Sequence, residues 1–151
     1  GADRLALWLD TNELVVLRIE PRVDPLDGLV AGLAAEGMET ELAELAHDML
    51  NGCRQCHSYE ANVNGAGPSL HKIIGRDIAS TSFANHSQAL LSAPGKWNSE
   101  NLSAYLAAPE EVVPGTLMLG LGTGGDTDLA RAISAALAWM SARAEITEDP
   151  R

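Results

Sequence analysis

The feature that most constrains this chain is the pentapeptide Cys53-Arg54-Gln55-Cys56-His57, which holds both cysteines of the 151 residues. Two thiols separated by two residues and followed at once by a histidine form the attachment pattern of c-type haem. On a helical turn the thiols can reach two vinyl groups on one porphyrin edge while the imidazole turns under the iron. The pattern predicts one covalently bound haem c.

Three other uses of the cysteine pair fit the sequence less well. A thioredoxin-like redox pair follows a strand in a βαβ pattern, whereas a helical pattern precedes Cys53 and a loop pattern follows it. A zinc site needs two further ligands. The remaining histidines show no paired spacing, and we expect them to be structural or surface residues: His47, His71 and His86. A disulfide would close too small a loop to stabilise the chain much. Haem attachment is therefore favoured.

Composition narrows the class of protein further. The chain has 10 basic and 21 acidic side chains, a net charge of −11, which disfavours a nucleic-acid surface. Its length suits one compact domain, and no apolar run is long enough to span a bilayer. We expect any export signal or membrane anchor to be absent from this chain. Only 4% of the residues are aromatic, and a porphyrin would supply the missing flat apolar mass of the core.

Apolar spacing predicts three main helices. The first leads into Cys53 and carries apolar residues at helical spacing: Met38, Leu42, Leu45 and Met49. The second begins at a cap, Asn98 or Ser99, and the third begins after Thr127 or Asp128 and ends near Arg143. Between His57 and Trp97 the composition predicts long loops with short helical turns at about 70–74 and 87–92. Such long loops need something to pack against, and haem would provide it.

The motifs of the chain, and the order in which they occur, resemble those of the class I cytochromes c of mitochondria and bacteria. The matching stretches after the pentapeptide are Gly67-Pro68-Ser69-Leu70-His71, Ile74-Gly75-Arg76, Trp97 with Leu102, Tyr105, Leu106 and Pro109, and Val113 to Met118. The resemblance covers about residues 38–143 and implies an all-α cytochrome c fold wrapped around one haem. Residues 1–37 would be an N-terminal extension, and 144–151 a C-terminal tail.

The resemblance also implies roles for individual residues. Cys53 and Cys56 would hold the haem, and His57 would bind its iron while donating its other ring N–H to the Pro68 carbonyl. The second axial ligand would be Met118, whose soft thioether favours ferrous iron. The remaining pocket residues would be two propionate donors, Arg76 and Trp97, together with Tyr105 near the methionine sulfur and two supporting leucines, Leu70 and Leu106.

Two departures from the family pattern carry predictions. The chain has two lysines, Lys72 and Lys96, and Leu117 stands where a lysine often precedes the ligand. We therefore expect redox partners with a basic or apolar docking face. Gly120 stands where an aromatic residue commonly covers the haem, so we expect a more open loop around Met118.

Two apparent ligand motifs near the C-terminus fail in context. The segment 120–125 satisfies the GxGxxG expression, but a turn precedes it instead of a buried strand, so nucleotide binding is disfavoured. Asp126 and Asp128 are too few carboxylates for calcium. We expect them to cap the last helix.

The N-terminal extension lies outside the resemblance. Leu14 to Ile19 is rich in β-formers and predicts a short strand or extended arm. Asp24-Pro25 predicts the start of a capped helix that ends near Gly37. An apolar arm with Trp8 at its tip would fold back on its own domain, pair with a second copy in a homodimer, or dock on a partner subunit. The sequence does not choose among these.

The sequence thus predicts a periplasmic one-electron carrier that is not an enzyme. It would act freely or as the carrier domain of a membrane-tethered or multi-subunit respiratory or dehydrogenase system. The periplasm is expected because haem c is ordinarily attached outside the bacterial inner membrane and the lysine-rich mitochondrial pattern is missing. The alternative is a haem-based gas-binding or sensing module, in which a labile Met118 yields its place to CO or NO.

Overall fold

The structure, a computed structural model, describes residues 4–8, 14–18 and 23–148, with side chains described for 23–144. It is mostly helical, in agreement with the predicted fold class. The elements in chain order are β1 (Arg4–Trp8), β2 (Leu14–Arg18), α1 (Leu29–Ala35), α2 (Thr40–Cys53), α3 (Gln88–Ser92), α4 (Ser99–Ala107), α5 (Pro109–Val112) and α6 (Thr127–Glu148).

The N-terminal arm forms a two-stranded hairpin. β1 and β2 pair antiparallel, with Arg4 opposite Arg18 and Trp8 opposite Leu14. The strand predicted from Leu14 is confirmed, whereas Ile19 lies outside the described residues. The alternatives for where the arm docks stay predictions, because its side chains also lie outside them.

The segment of residues 26–35 packs against the core through its leucines. Leu29 and Leu33 are fully buried, and α1 contacts both α2 and α6. A side chain at Gly32 would overlap the ring of Trp139, so glycine permits the close approach of α1 and α6. The helix predicted from Pro25 begins four residues later, because Asp24 accepts the Leu26 N–H at 2.9 Å and holds a turn.

The buried face of α2 agrees only in part with the predicted one. Leu42 and Met49 pack against the core as predicted, but the residues with no exposed surface are Ala43, Ala46 and Leu50, and Leu45 is 50% exposed. The prediction followed the large apolar residues, but a close helix crossing buries small ones. Since α2 packs against both α1 and α6, its alanines form the crossing surface and Leu45 lies outside it.

The caps of the later helices agree better with the sequence. Asn98 caps α4 in a reciprocal capping box with Asn101. Before α6, the Asp126 carboxylate accepts the backbone N–H groups of Asp128 and Leu129. The predicted end of α6 near Arg143 is wrong, because no glycine or proline interrupts the chain there and the helix continues to Glu148.

The long middle segment is held by loop hydrogen bonds and contains one short helix. The turn predicted at 87–92 is α3, whereas residues 70–74 form turns without a helix. The backbones of residues 75–78 and 95–97 are joined by Gly75 N–H to Trp97 O at 2.8 Å and Trp97 N–H to Arg76 O at 2.9 Å. None of the helices in the described parts of the chain is long and apolar enough to cross a membrane.

Candidate functional site

A cavity of about 360 Å³ lies among α2, α4, α6 and the loops, and every site residue named from the sequence lines it. Those residues are Cys53, Cys56, His57, Pro68, Leu70, Arg76, Trp97, Tyr105, Leu106 and Met118. Much of the rest of the wall is apolar and comes from Leu50, Ile73, Leu90, Leu102, Ile133 and Leu137. Segments far apart in sequence thus meet around one apolar space.

The C-terminus of α2 presents the two thiols to this cavity. Cys53 is the last residue of α2, and its carbonyl accepts the N–H groups of Cys56 at 3.1 Å and His57 at 2.9 Å. This turn brings both cysteines and the imidazole to the cavity wall. The two cysteines form no disulfide with each other, and burial raises the pKa of Cys53.

The ring of His57 is fixed from behind by the loop that follows. Its Nδ1 lies 2.7 Å from the Pro68 carbonyl oxygen, which leaves Nε2 available to ligate a metal. A Cβ on Gly67 would lie 2.8 Å from Nδ1 and 2.9 Å from Nε2. The Gly67 N–H also donates to the Cys56 carbonyl at 2.7 Å. The geometry is the one that the family resemblance implies.

The thiol-bearing turn is tied to the N-terminal segment by an ion pair that the sequence did not reveal. The Arg54 guanidinium donates to both carboxylate oxygens of Asp24, which lowers the pKa of Asp24 to about 2. Arg54 also lies over the ring of Tyr59, 5.5 Å from its centre. Tyr59 in turn donates its hydroxyl to the Leu50 carbonyl at 2.7 Å. No local pattern signals this contact, because its partners are 30 residues apart.

Met118 is supplied by the connection between α5 and α6. The buried Thr116 organises this loop: its hydroxyl lies 2.5 Å from the Tyr105 hydroxyl and accepts the Met118 N–H at 3.3 Å. Tyr105 therefore acts on Met118 through Thr116. Two neighbours of the methionine are exposed, Leu117 by 67% and Leu119 by 57%.

Arg76 and Trp97 form the polar part of the cavity wall. The Arg76 guanidinium donates to the carbonyls of His71 and Ser69, both at 2.7 Å. Because a guanidinium carries five N–H donors, others remain for an anionic group in the cavity. Trp97 is 8% exposed, and its ring lies 5.2 Å from that of Tyr105. Burial lowers the pKa of Arg76, a cost that an anionic partner would offset.

His86 is a cavity residue that the sequence reasoning assigned to structural or surface roles. It lines the cavity beside Phe83, whose ring meets the imidazole edge-on with centres 5.3 Å apart. Its Nε2 lies 2.9 Å from the Thr81 hydroxyl. Its Nδ1 is buried and has no hydrogen-bond partner among the described residues. No spacing around His86 gives a signal, because the loop fold alone brings it to the cavity.

The apparent ligand motifs near the C-terminus contribute to packing. In the GxGxxG segment, the Thr123 N–H donates to the Leu106 carbonyl at 2.8 Å and the Gly125 N–H to Ala107 at 3.0 Å. A side chain at Gly122 would overlap the Leu106 carbonyl. Among the residues described, no three His, Cys, Asp or Glu side chains cluster to hold a metal ion.

The cavity fits a large apolar macrocycle that carries carboxylates and a metal. Two thiols and an oriented imidazole share one turn, and a thioether comes from another loop. The half-buried guanidinium of Arg76 suits the carboxylates. These are the donors that covalent haem c requires.

Comparisons with known proteins point to the same class. The chain is 35% identical over 82 residues to cytochrome c2 iso-2 of Magnetospirillum fulvum, covering 54% of this chain and 85% of that protein. It is 35% identical over 99 residues to a cytochrome c homolog of Rickettsia typhi, covering 65% of this chain and 57% of that protein. The structure matches cytochrome cH from Methylobacterium extorquens with a TM-score of 0.56 and 29% identity, over 64% of this chain and 96% of that one. The chain matches no protein-family model.

The fold and the residues that line the cavity agree with these comparisons. The chain belongs to the class I c-type cytochromes, whose members carry one covalently bound haem c. It spans about 57% of the length of the Rickettsia typhi relative. The boundaries of its extension and tail stay predictions.

Proposed function

We propose that this chain is a one-electron carrier whose haem is bound to Cys53 and Cys56 and whose iron is ligated by His57 and Met118. The supporting observation is that both thiols, an imidazole oriented by Pro68 and the methionine line one apolar cavity. When bound, haem c supplies the exchange of one electron between Fe(II) and Fe(III).

The role of the protein is to hold the ligands still. The Pro68 carbonyl orients the His57 ring, and the Thr116 hydroxyl holds the Met118 backbone. An iron held by both side chains would need little rearrangement between its two oxidation states. A haem ligated by an imidazole and a thioether would also have a higher reduction potential than one ligated by two imidazoles. These features suit a carrier, and no catalytic base or nucleophile is assigned.

The partner surface of the carrier is the apolar loop that bears Met118. Leu117, Leu119 and Leu121 are 67%, 57% and 58% exposed, and the chain as a whole carries a charge of −11. Exposed leucines suit an apolar docking face on the partner, and the net charge favours a basic one. The carrier would work in a periplasm, freely or within a larger respiratory or dehydrogenase system.

Absorption spectroscopy of the purified holoprotein with a redox titration tests the haem assignment. We expect a covalent haem c that stays with the chain after denaturation, a far-red iron–sulfur band and a positive potential. A spectrum without haem bands would overturn the assignment.

Carbon monoxide separates the carrier from the gas-binding alternative. We expect no spectral shift when carbon monoxide is added to the reduced protein, because Met118 keeps its place on the iron. Rapid and complete conversion would contradict the carrier and favour the sensing module.

Electron exchange with small inorganic complexes tests the charge of the docking face. We expect a cationic oxidant to react faster than an anionic one of equal driving force. The difference should shrink as salt rises, because salt screens the attraction. Equal rates at low salt would contradict a role for the net charge.

A further inference from the structure

The N-terminal hairpin is a two-stranded sheet without a helix packed on it. Among the described elements, β1 and β2 contact only each other. Each strand therefore has one edge without a strand partner in the described parts of the chain. A two-stranded hairpin is at best marginally stable in water unless a further strand or a helix packs against it. The hairpin therefore needs another surface to stabilise it.

The sequence makes both faces of the hairpin apolar. Successive residues of a strand belong to opposite faces, and residues opposite each other in the register share a face. One face consists of Leu and Val alone: Leu5, Leu7, Val15 and Leu17. The other face is apolar except at one end, where Arg4 lies opposite Arg18. A hairpin that packed only on its own domain would need one apolar face, so the second indicates a further partner.

The outer edge of β1 lacks the features that usually protect a sheet edge. Native proteins protect such edges with lysine, proline or a bulge. The sequence of β1, Arg-Leu-Ala-Leu-Trp, contains neither lysine nor proline. Its pairing with β2 runs from Arg4 to Trp8 without a bulge. An edge of this kind can accept a strand from another chain.

The charges of the arm suit an antiparallel copy of itself. Arg4 lies opposite Arg18 in the hairpin, and like charges directly opposite each other destabilise a sheet. An acidic partner at that end would offset the repulsion. Residues 9–13, which connect the two strands in sequence, include two acids: Asp10 and Glu13. A second copy running antiparallel brings its acidic end to the arginine end of the first.

Symmetry decides which edge can form this contact. Two identical strands that pair antiparallel are related by a two-fold axis, so residue i meets residue j and j meets i. Opposite residues share a face, and residues on one face of a strand differ by an even number. Arg4 and Asp10 meet this condition along β1. Arg18 and Glu13 do not meet it along β2, because their numbers differ by an odd amount.

We propose that two copies of this chain pair antiparallel along the β1 edges of their hairpins and form a four-stranded intermolecular sheet. Leu7 lies opposite Leu7 of the second copy, and Ala6 lies opposite Trp8, a small residue beside a large one. Arg4 lies opposite Asp10 of the second copy, once at each end. The partner is a second copy because this one edge supplies both members of the charge pair. The proposal does not rest on the proposed function, since none of the residues proposed to hold haem belongs to the arm.

Sedimentation of the purified full chain over a series of concentrations tests the pairing. A five-residue edge spans about 17 Å, which is small for an interface. We therefore expect a weak dimer that forms between about 10 and 500 μM. A chain that stays monomeric up to about 1 mM would overturn the proposal, and would mean that the arm packs on its own domain or on a different partner.

Charge reversal identifies the edge. Arg4→Asp and Asp10→Arg should each weaken the dimer at least about tenfold, because both cross-strand pairs then join like charges. An equimolar mixture of the two variants should dimerise again, since each reversed charge then meets its opposite on the other variant. The matched control is Arg18→Asp. It changes the Arg4–Arg18 pair of the hairpin in the same way but leaves the β1 edge intact, so its dimer should persist.

The mixture keeps the test decisive if a single variant loses its dimer for another reason. Recovery in the mixture shows that both variants keep a folded hairpin and that the two charges meet across chains. A mixture that stays as weak as either variant alone would overturn the proposal. Equal weakening by Arg18→Asp and Arg4→Asp would also overturn it, because the pair within the hairpin would then be the cause.

Discussion

The two segments that carry the proposed axial ligands, His57 and Met118, are built differently. The attachment segment, residues 53–70, is held by closely spaced hydrogen bonds, among them His57 Nδ1 to the Pro68 carbonyl at 2.7 Å and Leu70 N–H to the Ser58 carbonyl at 2.8 Å. The Met118 loop, residues 113–121, is organised mainly by Thr116, and its leucines are exposed. Covalent attachment needs a preset geometry, whereas the proposed second ligand, Met118, lies on a loop with an open outer face. Substitutions in the attachment segment should therefore change mainly the free energy of unfolding, and substitutions in the Met118 loop mainly the reduction potential of the iron.

The largest expected effect is that of Gly67→Ala in the attachment segment. Its Cβ would meet the His57 ring, with Nδ1 at 2.8 Å and Nε2 at 2.9 Å. Overpacking of this kind costs about 1–3 kcal/mol or more, so we expect a loss of at least about 2 kcal/mol in the free energy of unfolding. Denaturant titration of the holoprotein, followed by circular dichroism, measures it.

Gly52→Ala is the matched control for this change. Gly52 lies inside α2, and a Cβ there would meet no atom within 4 Å. Alanine in a helix interior gains about 0.5–1 kcal/mol over glycine. Equal losses at both positions would show that the attachment segment is not specially constrained.

Met118→Ala should change the reduction potential more than it changes the free energy of unfolding. We expect loss of the far-red band and a potential lower by roughly 0.1 V or more, within the ~0.8 V that axial ligands span. The free energy of unfolding should change less than in Gly67→Ala, because the Met118 loop is more exposed. Met140→Ala, on α6, is the control, since it shortens a methionine without touching the iron. A far-red band that survives in Met118→Ala would exclude this residue as the ligand.

The same substitution, tyrosine to phenylalanine, can be made in the attachment segment at Tyr59 and beside the Met118 loop at Tyr105. Tyr105→Phe removes the hydroxyl that binds Thr116, and Tyr59→Phe removes the one that binds the Leu50 carbonyl. Each should cost about 1 kcal/mol of stability. Only Tyr105→Phe should lower the pH at which the far-red band disappears, because only that hydroxyl supports the Met118 loop. An absorption titration from pH 7 to 10 of both variants measures this, and equal shifts would contradict the distinction.

The smallest effect is expected from Asp24→Asn. The pKa of Asp24 is lowered from 3.8 to about 2, mainly by the hydrogen bond from Arg54. Stability from a carboxylate with a lowered folded pKa is present above the unfolded value and is lost as pH falls through the folded one. Because 42% of the Asp24 side chain is exposed, solvent screening limits the gain to about 1 kcal/mol or less.

Denaturation at two pH values checks this prediction. The variant should be less stable than the unmodified chain at pH 6, and the gap should close towards pH 2. Glu44→Gln, an exposed carboxylate on α2, should leave stability unchanged at both pH values. A gap that stays constant with pH would mean that Arg54 does not depend on the Asp24 charge.

Local chemistry made part of this molecule predictable. The pentapeptide at Cys53 and the cap at Asn98 act within a few residues of chain, so their patterns are readable in sequence. The family resemblance supplied Pro68, Arg76 and Met118, whose long loops carry no periodic signal. The buried faces of the helices were harder to predict, as Leu45 shows. Large apolar residues suggested the buried face of α2, but a close helix crossing buries alanines.

The sequence alone determined the attachment chemistry, because two thiols and a histidine must be adjacent to act on one macrocycle edge. It also determined the helical class, since apolar periodicity and capping are local properties. The tertiary structure decided how Asp24 meets Arg54 and that His86 enters the cavity. Such contacts form when the packing of helices and loops brings together residues far apart in sequence, and no local sequence pattern encodes that packing.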